Sequence, residues 1–261
     1  VADHFPRGLG PFAALATAAA ATDRIRVGAF VFANDFRHPA VLAKEAATLD
    51  LLSDGRLEVG IGAGWLRAEY EATGIPFDRA GVRIERLAEA IPLIKRLWTE
   101  DNVTAQGRFY QATDLTITPR PVQAPHPPVM VGGGGQRVLS LAARHAEIVA
   151  LNPRATPEGV PDRRDITAEA TARKLAWVRE AAGARFPDLE LNIIALRVVT
   201  TADRAATAHQ LAQELGLTPD EVLRQLKEGN ERFHSGNVTL RNHSEQVRKA
   251  VPGQYPKAFV L

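Results

Sequence analysis

The chain of 261 residues carries a formal net charge of +2, 45% hydrophobic residues and no cysteine. Length and apolar content of this order suit one α/β domain with a full core, and so small a net charge argues against nucleic acid or an anionic membrane as a partner. The lack of cysteine excludes disulfides, thiolate zinc sites and a cysteine nucleophile within this sequence.

In chain order, residues 11–22, rich in alanine, predict a helix, 25–31 a strand and 39–52 a second helix. The 11–22 run is too short for a membrane span, no signal peptide is evident, and the expected location is the cytoplasm. In the second helix Pro39 suits the first turn, and Val41, Leu42, Ala46, Leu49 and Leu52 share one apolar face while Lys44, Glu45 and Asp50 lie off it. Ser53-Asp54-Gly55 supplies turn chemistry, and Arg56 is expected to fix that turn through a carboxylate. Leu57, Val59 and Ile61 alternate with Glu58, Gly60 and Gly62, giving a strand with one apolar face and one nearly bare of side chains.

Residues 78–98 predict a long amphipathic helix, which Pro92 should bend or whose hydrogen bonding it should break locally. A hairpin over 103–110 around Gly107 and a proline-rich loop over 119–128 follow. Strands at 129–131, 147–151 and 189–200 alternate with helices at 137–145, up to about 182, and at 202–215, with a loop over 152–165. This alternation implies a parallel sheet with helical crossovers, and no repeat is visible.

Several groups carry candidate chemistry. Gly62-Ala63-Gly64, ahead of Trp65, lets backbone amides approach a bound group, although the same spelling fits a plain strand-to-helix turn. Gly132-Gly133-Gly134-Gly135-Gln136-Arg137 separates a strand from a helix, so amides and a helix N-terminus can converge on a phosphate, with Arg137 as a charged partner. A flexible turn is the alternative, and the stretch is neither a P-loop nor a dinucleotide fingerprint. His4, next to Asp3, offers an imidazole for proton transfer or is a chain-end residue without a role. Asn34 is a hydrogen-bonding group or a turn former, Tyr70 a phenol for a ligand or a packing residue, and Arg37 and His38 suit helix entry. The seven histidines are scattered without an H-E-x-x-H pair, so no metal site is expected, and no G-x-S-x-G elbow occurs.

Taken together, Val1-Ala2-Asp3-His4-Phe5, residues 25–31, the RHPAVLAKEAATLDLLSDGRLEVGIGAGW segment from Arg37 to Trp65, Glu69-Tyr70, Gly74-Ile75-Pro76-Phe77, Pro121-Val122-Gln123 and residues 131–137 resemble the luciferase-like flavin and deazaflavin oxidoreductases. The likeness is strongest to the branch using the deazaflavin coenzyme F420. It implies a (β/α)8 TIM barrel and hydride transfer between F420 and a small organic substrate, or an FMN-dependent monooxygenase instead. It further implies His4 beside the redox ring as proton donor or acceptor. Asp3, Asn34, Gly62, Ala63, Gly64, Tyr70, Gly132, Gly133, Gly134, Gly135, Gln136 and Arg137 would then hold the ring and phosphate. A bulge with an unusual cis peptide is implied near Phe32-Ala33-Asn34.

In that family's frame the first strand and most of the second lie outside the sequence. The expectation is an incomplete barrel whose unpaired edges favour a homo-oligomer. Beyond Val222, Leu226-Lys227-Glu228-Gly229-Asn230-Glu231-Arg232-Phe233, Ser235-Gly236, Gln246-Val247 and Gly253-Gln254-Tyr255-Pro256-Lys257-Ala258 resemble the amino-terminal arm of the β-class carbonic anhydrases. The resulting expectation is a fusion of a partial barrel domain (1–222) with a fragment (223–261) that lacks the zinc ligands, against a divergent family terminus. Two further functions stay open: a truncated, fused chain without catalysis, and a carbonate dehydratase assigned through the tail, against which the absent cysteine ligands argue.

Overall fold

The computed structural model describes residues 1–6, 8–156, 160–194 and 202–215, together with 218 and 220. These fall into two compact units, divided in the described residues between Ile193 and Ile194. The first unit opens with helix α1 (Pro11–Ala20) and two short strands, β1 (Val27–Gly28) and β2 (Phe32–Ala33). A 3-10 turn (Asn34–Phe36) leads into α2 (Pro39–Leu52), then β3 (Leu57–Gly62), α3 (Arg67–Thr73) and α4 (Ala80–Thr99). The hairpin β4 (Val103–Gln106) and β5 (Gln111–Leu115) precedes β6 (Val129–Gly133), α5 (Gln136–His145), β7 (Ile148–Leu151), α6 (Ala168–Ala182) and β8 (Glu190–Ile193). The second unit contributes α7 (Arg204–Leu215), with Ala208, Leu211 and Ala212 clustered together.

All strands of the main sheet run parallel, in the order β1, β3, β6, β7, β8, with β2 also on β3. This is an α/β half-barrel of the expected class. Its two faces differ in kind. Val59, Ile61, Val129, Val131, Val149 and Leu151 pack with Leu87, Ile91, Leu97 and Leu139 of the helices. Each such side chain, fully buried, contributes about 1.5–3 kcal/mol. The inner face instead carries Gly60, Gly62, Met130, Gly132, Ile148 and Ala150, with Phe30 and Val31 against the last hydrophobic members. Near the carboxyl ends of the strands its own residues are small, and the Val31 side chain lies against Gly60 and Gly62.

Val27 pairs with Leu57 while Phe32 pairs with Ile61, so the outer strand spends one residue more than its neighbour over the same length. β1 and β2 are therefore two pieces of one strand interrupted by a bulge. The strand expected over 25–31 is corrected accordingly, and the cis peptide lies at Phe30–Val31, ahead of Phe32-Ala33-Asn34. α4 runs on through Pro92, which stands on the exposed side, to Thr99. Among the described residues Arg56 uses no carboxylate: its guanidinium donates to the carbonyls of Ser53 (2.7 Å), Ile25 (2.9 Å) and Ala19 (2.8 Å).

Asp50 is not a solvent-facing residue of α2. It is fully buried and accepts from the Val122 and Gln123 amides and the Gln123 side chain, at 2.7–3.0 Å. On the same helix Val41 (51% exposed) and Leu52 (64%) stay at the surface, while Leu42, Ala46 and Leu49 enter the core. The hairpin reaches Leu115, further than expected, and β6 takes in Gly132 and Gly133. Residues 223–261, with the expected domain boundary, lie outside the described residues, as do 195–201 of the last predicted strand. Among the described residues no helix is long and apolar enough to cross a membrane.

Candidate functional site

Barrel chemistry gathers at the carboxyl ends of strands, and that end of this sheet is built from three neighbouring groups of residues. Beside the end of β2, Asp3 accepts the Ala33 amide (3.0 Å) and a two-pronged contact from Arg37 (2.6 and 3.1 Å). Both of its oxygens are thus engaged within the chain. The next residue, His4, places Nδ1 at 2.9 and 3.0 Å from the two oxygens of Glu69, a buried carboxylate on α3. Glu69 also accepts the Phe5 amide at 3.0 Å, and the Trp65 ring meets the His4 ring edge-on with centroids 5.8 Å apart. A carboxylate on Nδ1 fixes the ring and its tautomer, leaving Nε2 without a partner among the described residues.

The second group sits under the loop after β3. Gly64 has φ +74°, and a Cβ placed there would lie 1.7 Å from the Tyr70 hydroxyl. Glycine is required because the phenol fills that space. Tyr70 donates to Asp35 at 3.2 Å and stacks edgewise on Phe77. Burial, and then the Asp35 carboxylate, push its pKa well above the ordinary phenol range. Arg83 reaches up from α4 to the carbonyls of Ala63 (3.2 Å) and Gly64 (3.4 Å), with its guanidinium 4.0 Å above the Phe77 ring. Asn34, buried, donates to the Tyr110 hydroxyl at 2.9 Å, and burial raises that phenol's pKa too. Tyr110 is itself set by Glu89 of α4, whose carboxylate accepts the amides of Arg108, Phe109 and Tyr110 at 2.7–3.1 Å.

The third group is the glycine turn between β6 and α5. Its glycines do different jobs. A Cβ on Gly133 would meet Val138 at 2.3 Å, and one on Gly134 would lie 2.5 Å from the Arg154 amide nitrogen; at Gly135 nothing lies within 4 Å. Gly135 is the N-cap of α5, with no side-chain cap and no acidic residue in the first turn. Among the described residues no side chain caps the first amides of that helix. Gln136 and Arg137 are exposed, and Arg137 leans toward α4, 3.4 Å from Glu85. On the inner face beside this turn, the Oδ1 atoms of Asn152 and Asn192 are buried without a hydrogen-bond partner among the described residues. Asn192 is in register with Ala150, which is in register with Gly132.

The structure thus gathers Asp3, His4, Gly62, Ala63, Gly64 and Tyr70 on one flank. Asn34 stands beside the end of β2, and the 132–137 turn lies two strands over. Glu69, Asp35, Arg83 and Asn152 were not anticipated. Glu69 alone had a signal, lying two residues into the short α3 directly after the glycine loop. Among the described residues no three His, Asp or Glu side chains cluster as metal ligands would.

The sequence profile of the family described as Luciferase-like monooxygenase matches residues 1–261. The chain is 32% identical over 191 residues to the FMNH(2)-dependent dimethylsulfone monooxygenase of Pseudomonas putida, covering 72% of this chain and 52% of that one. It is 39% identical over 157 residues to the F420-dependent glucose-6-phosphate dehydrogenase of Intrasporangium calvum, covering 56% and 46%. The chain spans about half the length of these curated relatives. Among solved structures, monooxygenase RslO1 from Streptomyces bottropensis superposes with a TM-score of 0.63 at 28% identity, covering 85% of this chain and 64% of that one. An F420-dependent secondary alcohol dehydrogenase in complex with an F420-acetone adduct gives 0.62 at 22% identity over 74% and 58%, a likeness of fold. Because the profile takes in residues 223–261 as well, neither a carbonic-anhydrase-like tail nor a fusion is supported. With its half-barrel sheet and a profile match over its whole length, the chain belongs to the luciferase-like monooxygenase family.

Proposed function

We propose that the chain is a cofactor-dependent oxidoreductase that transfers hydride between deazaflavin F420 and a small organic substrate, with His4 as the proton donor or acceptor. The observation that carries this reading is the His4–Glu69 pair: an imidazole held through Nδ1 by a buried carboxylate, with Nε2 left over among the described residues, at the carboxyl end of a half-barrel. Such an imidazole takes a proton from a substrate alcohol, or returns one to a carbonyl, at Nε2. Glu69 holds the ring's orientation through Nδ1. Asp3 fixes the segment that carries His4, and Arg83 holds the loop after β3 in place. The ring system supplies the hydride when bound.

The residues present fit such a group. The inner face beside the glycine turn carries the small residues Gly132 and Ala150, and the buried Oδ1 atoms of Asn152 and Asn192 match the N–H donors of a flavin or deazaflavin. In this reading Gly62, Ala63, Gly64, Asn34 and Tyr70 flank the ring, and Gly132, Gly133, Gly134, Gly135, Gln136 and Arg137 receive the phosphate on the first amides of α5. An FMN-dependent monooxygenase is the second reading, favoured by the larger share of this chain that aligns with the dimethylsulfone enzyme. Titrating the purified chain with F420 and with FMN, following cofactor fluorescence, separates the two. Saturable binding of F420 alone is expected. Binding of FMN alone selects the second reading, and binding of neither refutes both in favour of a chain without catalysis.

A further inference from the structure

Lys174 and Asp165 form an ion pair that the chemistry above does not use. Both are only 2% exposed. The Lys174 ammonium lies 2.7 Å from Asp165 Oδ2 and donates to two carbonyls, Asn152 and Asp165, each at 2.9 Å, so its three hydrogens are all engaged. Asp165 Oδ2 accepts the Arg154 amide at 2.8 Å, and its Oδ1 accepts from Arg173 at 3.1 Å. A buried charge pair is a poor source of net stability, and a lysine with a fully occupied ammonium fixes the groups it binds.

What it fixes is the segment 152–154, directly against the glycine turn. Asn152 donates its amide to the Gly133 carbonyl at 2.9 Å while its own carbonyl is held by Lys174. The Arg154 amide nitrogen held by Asp165 is the atom that a side chain at Gly134 would strike. Gly135, the N-cap of α5, follows at once.

We infer that Lys174 and Asp165 are positioning residues for the cofactor's phosphate: through the Asn152 carbonyl and the Arg154 amide they set the wall that orients the β6–α5 turn. This rests on the reading in which that turn receives the phosphate. Neither side chain touches the ligand. Their effect is on the phosphate's share of binding, which a purely structural tie would leave alone.

The test compares each cofactor with its phosphate-free core, in the full chain: FMN with riboflavin, and F420 with its deazariboflavin core, by fluorescence titration. Wild type is expected to prefer the phosphorylated member of the pair it binds. Lys174→Met should lower that preference roughly tenfold while leaving affinity for the core unchanged. Asp165→Asn, which keeps shape and an acceptor oxygen, should lower it less, and it carries the test if Lys174→Met fails to fold by circular dichroism. A preference unchanged in both variants, or an equal loss for both ligands of a pair, reduces Lys174 and Asp165 to a structural tie and overturns the inference alone. A wild type that binds its core as tightly as the phosphorylated form removes the phosphate from the turn. A wild type that binds neither pair overturns the cofactor reading and the inference with it.

Discussion

The two glycine-rich turns at the carboxyl ends of β3 and β6 are spelled alike and built oppositely. After β3, the space that Gly62 and Gly64 leave is taken by the chain's own Val31 and Tyr70, and the loop carbonyls are drawn down by Arg83. After β6, Gly133 and Gly134 admit a helix and a neighbouring backbone, but Gly135 opens onto free space at an uncapped helix start. A glycine in a barrel loop is thus no direct sign of a ligand. It marks a close approach, and only the atoms nearby tell whether protein or something else makes it.

The sharpest way to break this contrast concerns the flank beside β3, which holds the imidazole. His4→Ala should lower single-turnover hydride transfer by roughly 10²–10⁴ while cofactor affinity holds. A rate left intact would separate the proton chemistry from this flank altogether. Next, Gly64→Ala should cost about 3 kcal/mol in urea unfolding, since it adds left-handed strain to a collision with Tyr70. Gly135→Ala should stay within about 0.5 kcal/mol by the same measurement yet weaken cofactor binding. Equal stability losses at the two glycines would erase the distinction.

Removing the clamp by Arg83→Met leaves two loop carbonyls without their donor, and about 2 kcal/mol of stability should go with it in thermal or urea melts. Tyr70→Phe is expected to cost less than the loss of that clamp, about 1 kcal/mol for the lost hydrogen bond to Asp35. It also carries a signature in pH. The folded phenol has its pKa raised above the unfolded value of about 10, so the unfolded chain loses that proton first. Wild-type stability is therefore fully present below pH 10 and declines as pH rises beyond it, and Tyr70→Phe should flatten that decline.

Much of the frame was legible because local chemistry and global packing agree there. Pro39 at the helix start and Ser53-Asp54-Gly55 at its end bound α2 at the expected residues, and the alternation from Leu57 to Ile61 gave β3 and its bare face. Where two faces of an element are both covered, periodicity misleads. Asp50 looked solvent-facing but meets the proline-rich loop, and Leu52 looked buried but has nothing above it within the described core. The seven residues of α3 are too few to show a period, although Gly74 at φ +74° ends it in the usual way. The bulge was legible only through the family resemblance and not from local periodicity, because its cause is the register with β3.

The candidate site was legible as residue types but not as pairings. His4 and the glycines could be picked out one by one, whereas Glu69 lies 65 positions from the histidine it holds. The partnership between Lys174 and Asp165 joins a helix to the loop expected over 152–165. Pairings of this kind are fixed by the return of strands to one edge, which no window of sequence contains.

The Glu89 carboxylate, bonded to three successive amides of the β4–β5 turn, makes that hairpin more than an excursion. It ties the turn's last residue, Tyr110, to Asn34 at the strand end, so a surface element holds a lever on the polar lining of the site. Lengthening, shortening or recharging that hairpin gives evolution, or an engineer, a dial that adjusts the lining from outside while every inner-face residue stays as it is.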